Sequence, residues 1–343
     1  MNRDRLTTIA MFAVALAVLS VVVWFSGVDG VLGALGAANT PVIAVIVAVA
    51  AVWLSAWGLA LWTVLKAIGA PISAPKSVFV FSAAVFSNNV TPFGQAGGEP
   101  VSALLISTAA DSEYETGLAA IASVDTLHFV PSVGFSVIGL VYVLAGAAEL
   151  TDNIALAALG VVVLVAVILT AATLGWRYRE RVEAGLVRLI TPVVRTLAYV
   201  VPRWSPPTAA DIERRIEGFL TAVGRVANDR WTIVVAVGFS ALGWLALSTS
   251  LWLSLYALGH PATPITFGAA LFVVPVGSIA GVTPLPGGLG GLEAAFITLL
   301  IPTAGVSVSV ATAAVLIHRG ATYWLPTLFG GGAATVLGNR ARK

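Results

Sequence analysis

Apolar runs long enough to cross a lipid bilayer recur along the whole chain. A helix needs about 20 consecutive apolar residues to span the hydrocarbon core of a membrane. Eight runs approach or exceed this length, at residues 6–26, 42–65, 77–108, 116–147, 153–175, 231–258, 264–302 and 306–338. Because backbone groups in lipid must be satisfied within the membrane-spanning structure itself, these runs predict α-helices in an integral membrane protein.

The composition agrees with the membrane class and excludes several kinds of chemistry. Hydrophobic residues make up 58% of the chain and charged residues 10%, against about a quarter charged in soluble domains. The chain has no cysteine, which excludes disulfides, thiol catalysis and Cys-ligated metal. We expect a single integral membrane domain over residues 1–343, with a first half at 1–175, an insert at 176–230 and a second half at 231–343.

Two of the runs, 77–108 and 264–302, are interrupted near the middle by Pro and Gly. Residues 78–90 would form a helix of about 20 Å at about 1.5 Å per residue, which is too short for a hydrocarbon core of about 30 Å. We therefore predict an all-α, polytopic membrane helix bundle. It has about six spanning helices and two Gly/Pro-broken re-entrant hairpins in an inverted repeat.

The distribution of Lys and Arg predicts which side each loop faces, because positive residues stay on the cytoplasmic side. Lys and Arg cluster before the first run, after the second, between 177 and 230, and at the C-terminus, whereas loops 27–41, 148–152 and 259–263 contain neither. We therefore expect a multi-pass protein of the cell membrane with both termini in the cytoplasm. By the same parity, run 77–108 enters from the cytoplasm and run 264–302 from outside, so the two hairpins would point at each other. In the alternative, a broken run spans the membrane, and the first half of 264–302 is long enough to do so.

The insert is expected to form two amphipathic helices under the bundle. Arg181, Arg188 and Arg195 recur every seven residues among apolar residues, which is typical of a helix lying on a membrane with its arginines toward anionic headgroups. A second helix places an apolar stripe opposite Arg214, Arg215 and Glu217. The stripe comprises Ile212, Ile216, Phe219, Leu220 and Val223. A regulatory or partner-binding role of the insert is the alternative.

A short sequence repeat links the two broken runs. Residues 88–99 read Asn-Asn-Val-Thr-Pro-Phe-Gly-Gln-Ala-Gly-Gly-Glu, and residues 282–293 read Val-Thr-Pro-Leu-Pro-Gly-Gly-Leu-Gly-Gly-Leu-Glu. Both contain Val-Thr-Pro, a Gly-rich stretch, a Gly pair and a Glu, and Pro92 and Pro284 are 192 residues apart. Paired interruptions of this kind, with opposite entry sides, are typical of binding sites in inverted-repeat transporters. The repeat therefore predicts a duplication with the site at its centre.

The residue types of the repeat suit an anionic ligand. Each proline ends one half-helix, and the glycines let backbone amides approach a ligand where the next half-helix begins. Helix N-termini that face a buried cavity favour anionic groups, including phosphate. In the alternative interpretation, Gly and Pro only kink the helices and allow close packing, while Glu99 and Glu293 cap their own helices.

Ionisable residues inside the apolar runs are further candidates for the site. They are Glu99, Asp125, His128, Glu293, His318 and Arg319. A central Asp or Arg costs about 2.5 to 3.5 kcal/mol on insertion scales, so such residues usually face a cavity or each other. Asp125 and His128 are three residues apart and share a helix face, with either a structural or a functional role. Arg319 either holds an anionic headgroup or forms a structural ion pair with Glu293 or Glu99.

The predicted substrate-binding set combines the repeat with these ionisable residues. It comprises Asn88, Asn89, Pro92, Gly97, Gly98, Glu99, Asp125, His128, Pro284, Gly287, Gly288, Gly290, Glu293, His318 and Arg319. The expected partners are membrane lipids or a lipid-linked substrate and, at the cytoplasmic surface, anionic headgroups, with no nucleic acid. No metal and no cofactor are expected, because the sequence has no His-Glu-x-x-His motif and no cluster with metal-ligand spacing.

The motif Pro-Leu-Pro-Gly-Gly-Leu-Gly-Gly-Leu-Glu at 284–293, the stretch 88–99 and the hydrophobic layout resemble one family over essentially the whole chain. This is the transmembrane region of lysylphosphatidylglycerol synthases with its stand-alone, flippase-like relatives. In two-domain members a soluble domain transfers the amino acid, and the membrane part is linked to moving the aminoacylated phospholipid between leaflets. Because this chain shows no such soluble domain, the resemblance implies movement of a lipid or lipid-linked substrate without aminoacyl transfer. Some stand-alone relatives are associated with lipid-linked sugars.

Three functions are compatible with the sequence. The first is a translocase for an amphiphile with a charged headgroup, the second is a transporter of a small anionic solute, and the third is an integral-membrane enzyme of polyprenyl-phosphate or glycolipid metabolism. The enzyme would use Glu99, Glu293, Asp125 or His128 as acid or base. None of the Lys residues follows a Gly, which excludes a P-loop. We therefore expect a downhill or ion-coupled translocase and no enzymatic activity.

Overall fold

The computed structural model describes residues 3–146, 209–281 and 283–340, with isolated positions between 159 and 177. These residues form helices, turns and loops and no strand, which confirms the predicted all-α polytopic membrane bundle. Among them, five helical segments are long and apolar enough to cross a membrane, and the bent pair Leu16–Phe25 and Val28–Gly36 would make a sixth. Two of the five, Pro264–Gly281 and Pro286–Ala304, are halves of the run predicted to re-enter, so each half of this run is long enough to span. The run predicted at 153–175, apart from isolated positions, and the helix predicted around Arg181, Arg188 and Arg195 lie outside the described residues.

The first half contains a long helix, a hairpin and a second long helix. Its helices are α1 (Arg3–Phe25), α2 (Val28–Gly36), α3 (Thr40–Ile68), α4 (Ala74–Val90), α5 (Gln95–Ala110) and α6 (Tyr114–Gly146). Helices α4 and α5 pack against each other and form the first hairpin. Asn39 accepts a hydrogen bond from the Val42 amide at the start of α3, and Gly69 ends that helix with a φ of 93°.

The second half repeats this order. Its helices are α7 (Ala209–Asn228), α8 (Arg230–Ala257), α9 (Pro264–Ser278), α10 (Gly291–Ala304), α11 (Val308–Arg319) and α12 (Leu325–Arg340). Helices α9 and α10 pack against each other and form the second hairpin. A π-helical turn at Gly320–Trp324 joins α11 to α12 directly after Arg319. Turns of this kind are frequent at functional sites.

The loop predicted at 27–41 contains helix α2, so this detail of the prediction is wrong. The chain bends by 95° between α1 and α2, and Gly27 at the bend has a φ of 86°. Val31 is buried, and α2 packs against α11. The apolar residues of this segment therefore bury one face against the bundle instead of forming an open loop.

Contacts between the two halves are reciprocal. Helix α3 packs against α8, α4 of the first hairpin packs against α12, and α9 of the second hairpin packs against α6. Gly139 of α6 lies against the backbone of α9, and Gly330 of α12 lies against the backbone of α4, so a side chain at either glycine would collide with the opposite hairpin. This exchange of equivalent contacts is what two duplicated halves related by an approximate two-fold axis would produce.

Helix α7 lies against the ends of α3 and α6. Arg225 donates to the carbonyl of Ile68, the last residue of α3, at 2.6 Å. Arg215 pairs with Glu115 at the start of α6 at 2.9 Å. Ala222 is buried, as expected for an amphipathic helix whose apolar face is covered. The second amphipathic helix predicted in the insert therefore packs on the bundle through both charge and burial.

Candidate functional site

The tips of the two hairpins contact each other. The first tip links α4 to α5 over residues 91–94 and contains Pro92, and the second links α9 to α10 over residues 279–290 and contains Pro284. A Cβ added to Gly94 would lie 3.2 Å from the carbonyl oxygen of Gly281. The two copies of the repeat are therefore brought together at one place.

The second tip depends on glycine for its conformation. Gly287, Gly288 and Gly290 have φ values of 57°, 68° and 85°, in the left-handed region that other residues rarely adopt. At Gly287 the two tips also approach closely, because an added Cβ would lie 3.1 Å from the Cα of Asn89. Substitution of this glycine would therefore strain the backbone and separate the tips.

The Gly pair of the first repeat has a different role. Gly97 and Gly98 lie in the first turn of α5, where side chains would collide with Pro92 and Asn88, respectively. Both glycines are helical and lack a positive φ. They therefore allow the two arms of the first hairpin to approach each other.

Arg319 and Glu293 form an ion pair beside the second tip. The distance from Arg319 Nε to Glu293 Oε1 is 2.7 Å, and the two side chains are 12% and 1% exposed. Glu293 Oε2 also accepts a hydrogen bond from the Gly290 amide at 2.6 Å and so caps α10. Of the two ion pairs predicted for Arg319, the structure therefore contains the one with Glu293.

The Arg319 guanidinium retains capacity for an anion. Its Nη2 donates weakly to the Gly287 carbonyl at 3.4 Å, and its plane lies over the Tyr323 ring at 4.7 Å. A guanidinium carries five N–H donors in a planar fork that suits phosphate and carboxylate groups. The hydrogen bonds described for Arg319 use two of these donors.

Asn89 ties the first hairpin to the last helix. Its Nδ2 donates to the hydroxyl of Thr327 at 2.8 Å and to the carbonyl of Tyr323 at 3.3 Å. The Tyr323 hydroxyl donates in return to the Asn89 carbonyl at 3.0 Å. Tyr323 is fully buried and contacts both the first hairpin and Arg319. It therefore joins the first hairpin to the ion pair beside the second tip.

Glu99 and Asp125 form a second pair of ionisable residues, in the first half. Their carboxyl groups lie close enough to interact electrostatically. Gln95, the first residue of α5, also lies near Asp125. This pair is acidic on both sides, unlike the ion pair of the second half.

The two predicted histidines are bonded to helix α8 in equivalent ways. His128 Nδ1 lies 2.7 Å from Ser240 Oγ, and His318 Nδ1 lies 2.9 Å from Ser250 Oγ. His128 also stacks on Trp57 with ring centroids 4.1 Å apart. Among the described residues, no hydrogen bond joins either ring to a hairpin tip. The histidines therefore lock α6 and α11 onto α8.

Several polar atoms around the tips are buried without a hydrogen-bond partner among the described residues. They are Asn88 Oδ1, Asp125 Oδ2 and Thr283 Oγ1. An unpaired buried polar group costs about 1 to 3 kcal/mol, and such groups in native structures usually meet water or a ligand. Asn88 and Thr283 belong to the two copies of the repeat, so both copies offer unsatisfied polar atoms.

The match to known proteins covers both halves of this arrangement. Residues 12–330 match the family described as the lysylphosphatidylglycerol synthase transmembrane region. The chain belongs to this family. The matched range includes both hairpins, the ion pair and the acidic pair.

The chain is also similar to membrane proteins of two further organisms. It is 26% identical to a UPF0104 membrane protein of Methanothermobacter thermautotrophicus, with 99% of this chain and 95% of the relative covered. It is 22% identical to a UPF0104 membrane protein of Pyrococcus horikoshii, with 96% of each chain covered. A second Methanothermobacter protein of the same name is 25% identical over 74% of this chain and 72% of its own length.

Sequence reasoning missed several residues at the centre of this family member. Tyr323 and Thr327 were not predicted because neither is charged and both lie in an apolar run. Gln95 was not singled out although it lies inside the repeat. One signal was available for the acidic pair, because Glu99 and Asp125 are 26 residues apart, as are Glu293 and Arg319.

Proposed function

We propose that this protein moves a lipid or lipid-linked substrate with a charged headgroup between the two leaflets of the cell membrane. The observation that carries the proposal is the contact of the two hairpin tips beside the buried Arg319–Glu293 pair. In membrane transporters, non-helical backbone at such depth lines a substrate site between two duplicated halves. The family assignment is consistent with a substrate drawn from the lipid phase.

The headgroup that fits best carries a phosphate. Arg319 presents unused guanidinium donors, and a bidentate contact with phosphate is the strongest hydrogen bonding that this side chain makes. Tyr323 lies under the guanidinium at 4.7 Å and keeps its plane fixed. A neutral headgroup would leave these donors without a partner.

The two hairpins can move the lipid between leaflets if each hairpin closes the site toward one side of the membrane. With both termini in the cytoplasm, the first hairpin enters from the cytoplasm and the second from outside. Separation of one hairpin from the opposite half would open the site to one leaflet at a time. The proposal includes no bond-breaking step, so the protein acts as a transporter and not as an enzyme.

Leaflet exchange in proteoliposomes tests this proposal. Fluorescent phosphatidylglycerol, phosphatidylethanolamine and a polyprenyl-phosphate sugar are each placed in both leaflets, and the fraction accessible to a membrane-impermeant quencher is followed over time. We expect the protein to accelerate the exchange of at least one of these lipids over protein-free vesicles. No acceleration for any of them, with transport of a small anion instead, would contradict the proposal.

A further inference from the structure

The acidic pair of the first half occupies the place that the ion pair occupies in the second. Glu99 and Asp125 are 26 residues apart, and so are Glu293 and Arg319. Each glutamate lies near the start of the return arm of its hairpin, and each partner lies on the helix that follows. The second half thus places a cation beside its glutamate, whereas the first half places another acid there.

Two neighbouring carboxyl groups disfavour the doubly ionised form at low dielectric, because like charges repel each other. Asp125 Oδ2 is also inaccessible to solvent and has no hydrogen-bond partner among the described residues. A buried carboxylate oxygen without a donor is costly. Both observations, and the cation at the equivalent position of the second half, indicate that this pair binds a cation.

Charged side chains from the surrounding helices do not supply that cation. Three cations of the neighbouring helices bind elsewhere: Lys76 donates to the Ala109 carbonyl, Arg215 pairs with Glu115, and Arg225 donates to the Ile68 carbonyl. His128, one turn from Asp125, directs Nδ1 to Ser240. Among the described ionisable groups, Glu99 is the one that interacts electrostatically with Asp125.

We propose that Glu99 and Asp125 share one proton and form the site that couples lipid movement to proton movement. This proposal rests on the function proposed above. The described residues contain no group of three or more side chains that could hold a metal ion, whereas one proton needs only two neighbouring carboxyl oxygens. The proton is taken from water by one carboxylate and held in the hydrogen bond to the other, and it returns to water when the site opens to the opposite side.

The pair is connected to the hairpin tips. Gln95 lies near Asp125, and its neighbour Gly94 contacts Gly281 of the second tip. Protonation removes one negative charge from the half that faces the proposed headgroup site, so it favours the binding of an anionic headgroup. The proton and an anionic lipid are therefore bound in the same state and cross together, which makes the transport step electrically neutral for a singly charged lipid.

The shared proton is observable in the purified protein without any transport. Infrared spectroscopy at neutral pH should show the C=O stretch of a protonated carboxyl group that shifts in deuterated water. The band should disappear in Glu99→Gln and in Asp125→Asn, because each single variant leaves one carboxylate with an amide donor. It should persist in Glu113→Gln, which alters an exposed glutamate. A wild-type spectrum without such a band would overturn the shared proton, and this measurement does not depend on how the variants fold.

Coupling is tested in proteoliposomes under a pH gradient with the membrane potential held at zero. One proton moved per lipid converts a gradient of one pH unit into an equilibrium ratio of about ten for an anionic lipid between the leaflets. Any exchange that Glu99→Gln and Asp125→Asn retain should not respond to the gradient, and a response in either variant would overturn the coupling. Wild-type exchange that ignores the gradient would overturn the coupling while leaving the translocase intact. Absence of exchange at every pH would instead contradict the translocase, and with it the coupling.

Discussion

Asn89 and Tyr323 hold each other through two hydrogen bonds of opposite direction. The Asn89 amide donates to the Tyr323 carbonyl at 3.3 Å, and the Tyr323 hydroxyl donates to the Asn89 carbonyl at 3.0 Å. The two residues are 234 positions apart and belong to opposite halves of the chain. Because Tyr323 also lies under the Arg319 guanidinium, this contact fixes the first hairpin relative to the ion pair.

Removal of the Tyr323 hydroxyl should loosen the first hairpin. Tyr323→Phe deletes one hydrogen bond and leaves the Asn89 carbonyl without that donor, so we expect a loss of about 1 kcal/mol of unfolding free energy. Unfolding in detergent, followed by tryptophan fluorescence, measures this loss. Tyr256→Phe is the control, because Tyr256 is 48% exposed. Equal stability of the two variants would contradict a role for the Tyr323 hydroxyl.

Gly287→Ala should disturb both the second tip and its contact with the first half. Gly287 has a φ of 57° and lies against Asn89 and the Tyr323 ring, so a methyl group both strains the backbone and separates the tips. We expect a loss of about 1 to 3 kcal/mol in stability and a lower rate of lipid exchange. Gly332→Ala is the matched control, since no atom lies within 4 Å of its added Cβ. A neutral Gly287→Ala variant would show that the tips do not require this contact.

The ion pair should show strong coupling between its members. Arg319→Gln leaves the Glu293 carboxylate buried without its cation, which typically costs about 3 to 5 kcal/mol. Glu293→Gln leaves the positive charge of Arg319 without its carboxylate partner. The double variant removes both charges and should recover much of the lost stability, as a double-mutant cycle in detergent would show.

A second Arg–Glu pair serves as the control for this cycle. Arg215 and Glu115 lie 2.9 Å apart, but their side chains are 63% and 12% exposed. Solvent screening reduces the value of such a pair to about 0 to 1 kcal/mol. The coupling free energy between Arg319 and Glu293 should be larger than that between Arg215 and Glu115. Equal coupling free energies would contradict a stabilising role for the buried pair.

The sequence was sufficient to predict the membrane-protein class, the two hairpins and the contact between their tips. It was not sufficient to predict which charged side chains pair with each other. Long apolar runs and paired Pro-Gly breaks are local features, so they can be identified without coordinates. Packing between helices determines which glutamate pairs with Arg319. The sequence alone therefore could not decide between Glu293 and Glu99 as its ion-pair partner. Helix α2 was missed because the Lys and Arg distribution indicates which side a loop faces and not whether it is helical.

The two histidines also show that the sequence does not reveal contacts between helices. His128 and His318 were predicted as site residues because an ionisable side chain in an apolar run is usually functional. The structure places both against serines of α8, and the sequence does not show that Ser240 and Ser250 face them. Tyr323 was missed for the opposite reason, because an uncharged aromatic residue inside an apolar run gives no sign of a site.

The predicted orientation can be tested with introduced cysteines, since the natural chain has none. Glu113→Cys and Ala262→Cys place single thiols at exposed positions in the links after the first hairpin and before the second. A membrane-impermeant maleimide added to intact cells should label Ala262→Cys and spare Glu113→Cys until the membrane is opened. The reverse pattern would invert the topology and with it the entry sides of the hairpins.

The most direct test of the account compares lipid exchange in two double variants of matched charge. Glu293→Gln/Arg319→Gln removes the buried pair at the hairpin tips, and Glu115→Gln/Arg215→Gln removes the pair at α7, whose arginine is exposed. Both are reconstituted into vesicles that contain whichever fluorescent lipid the wild-type protein exchanges, after unfolding measurements establish that they are folded. We predict that exchange falls to the protein-free rate in the first and stays at the wild-type rate in the second. Wild-type exchange by a folded Glu293→Gln/Arg319→Gln protein would contradict the assignment of the headgroup site to this pair.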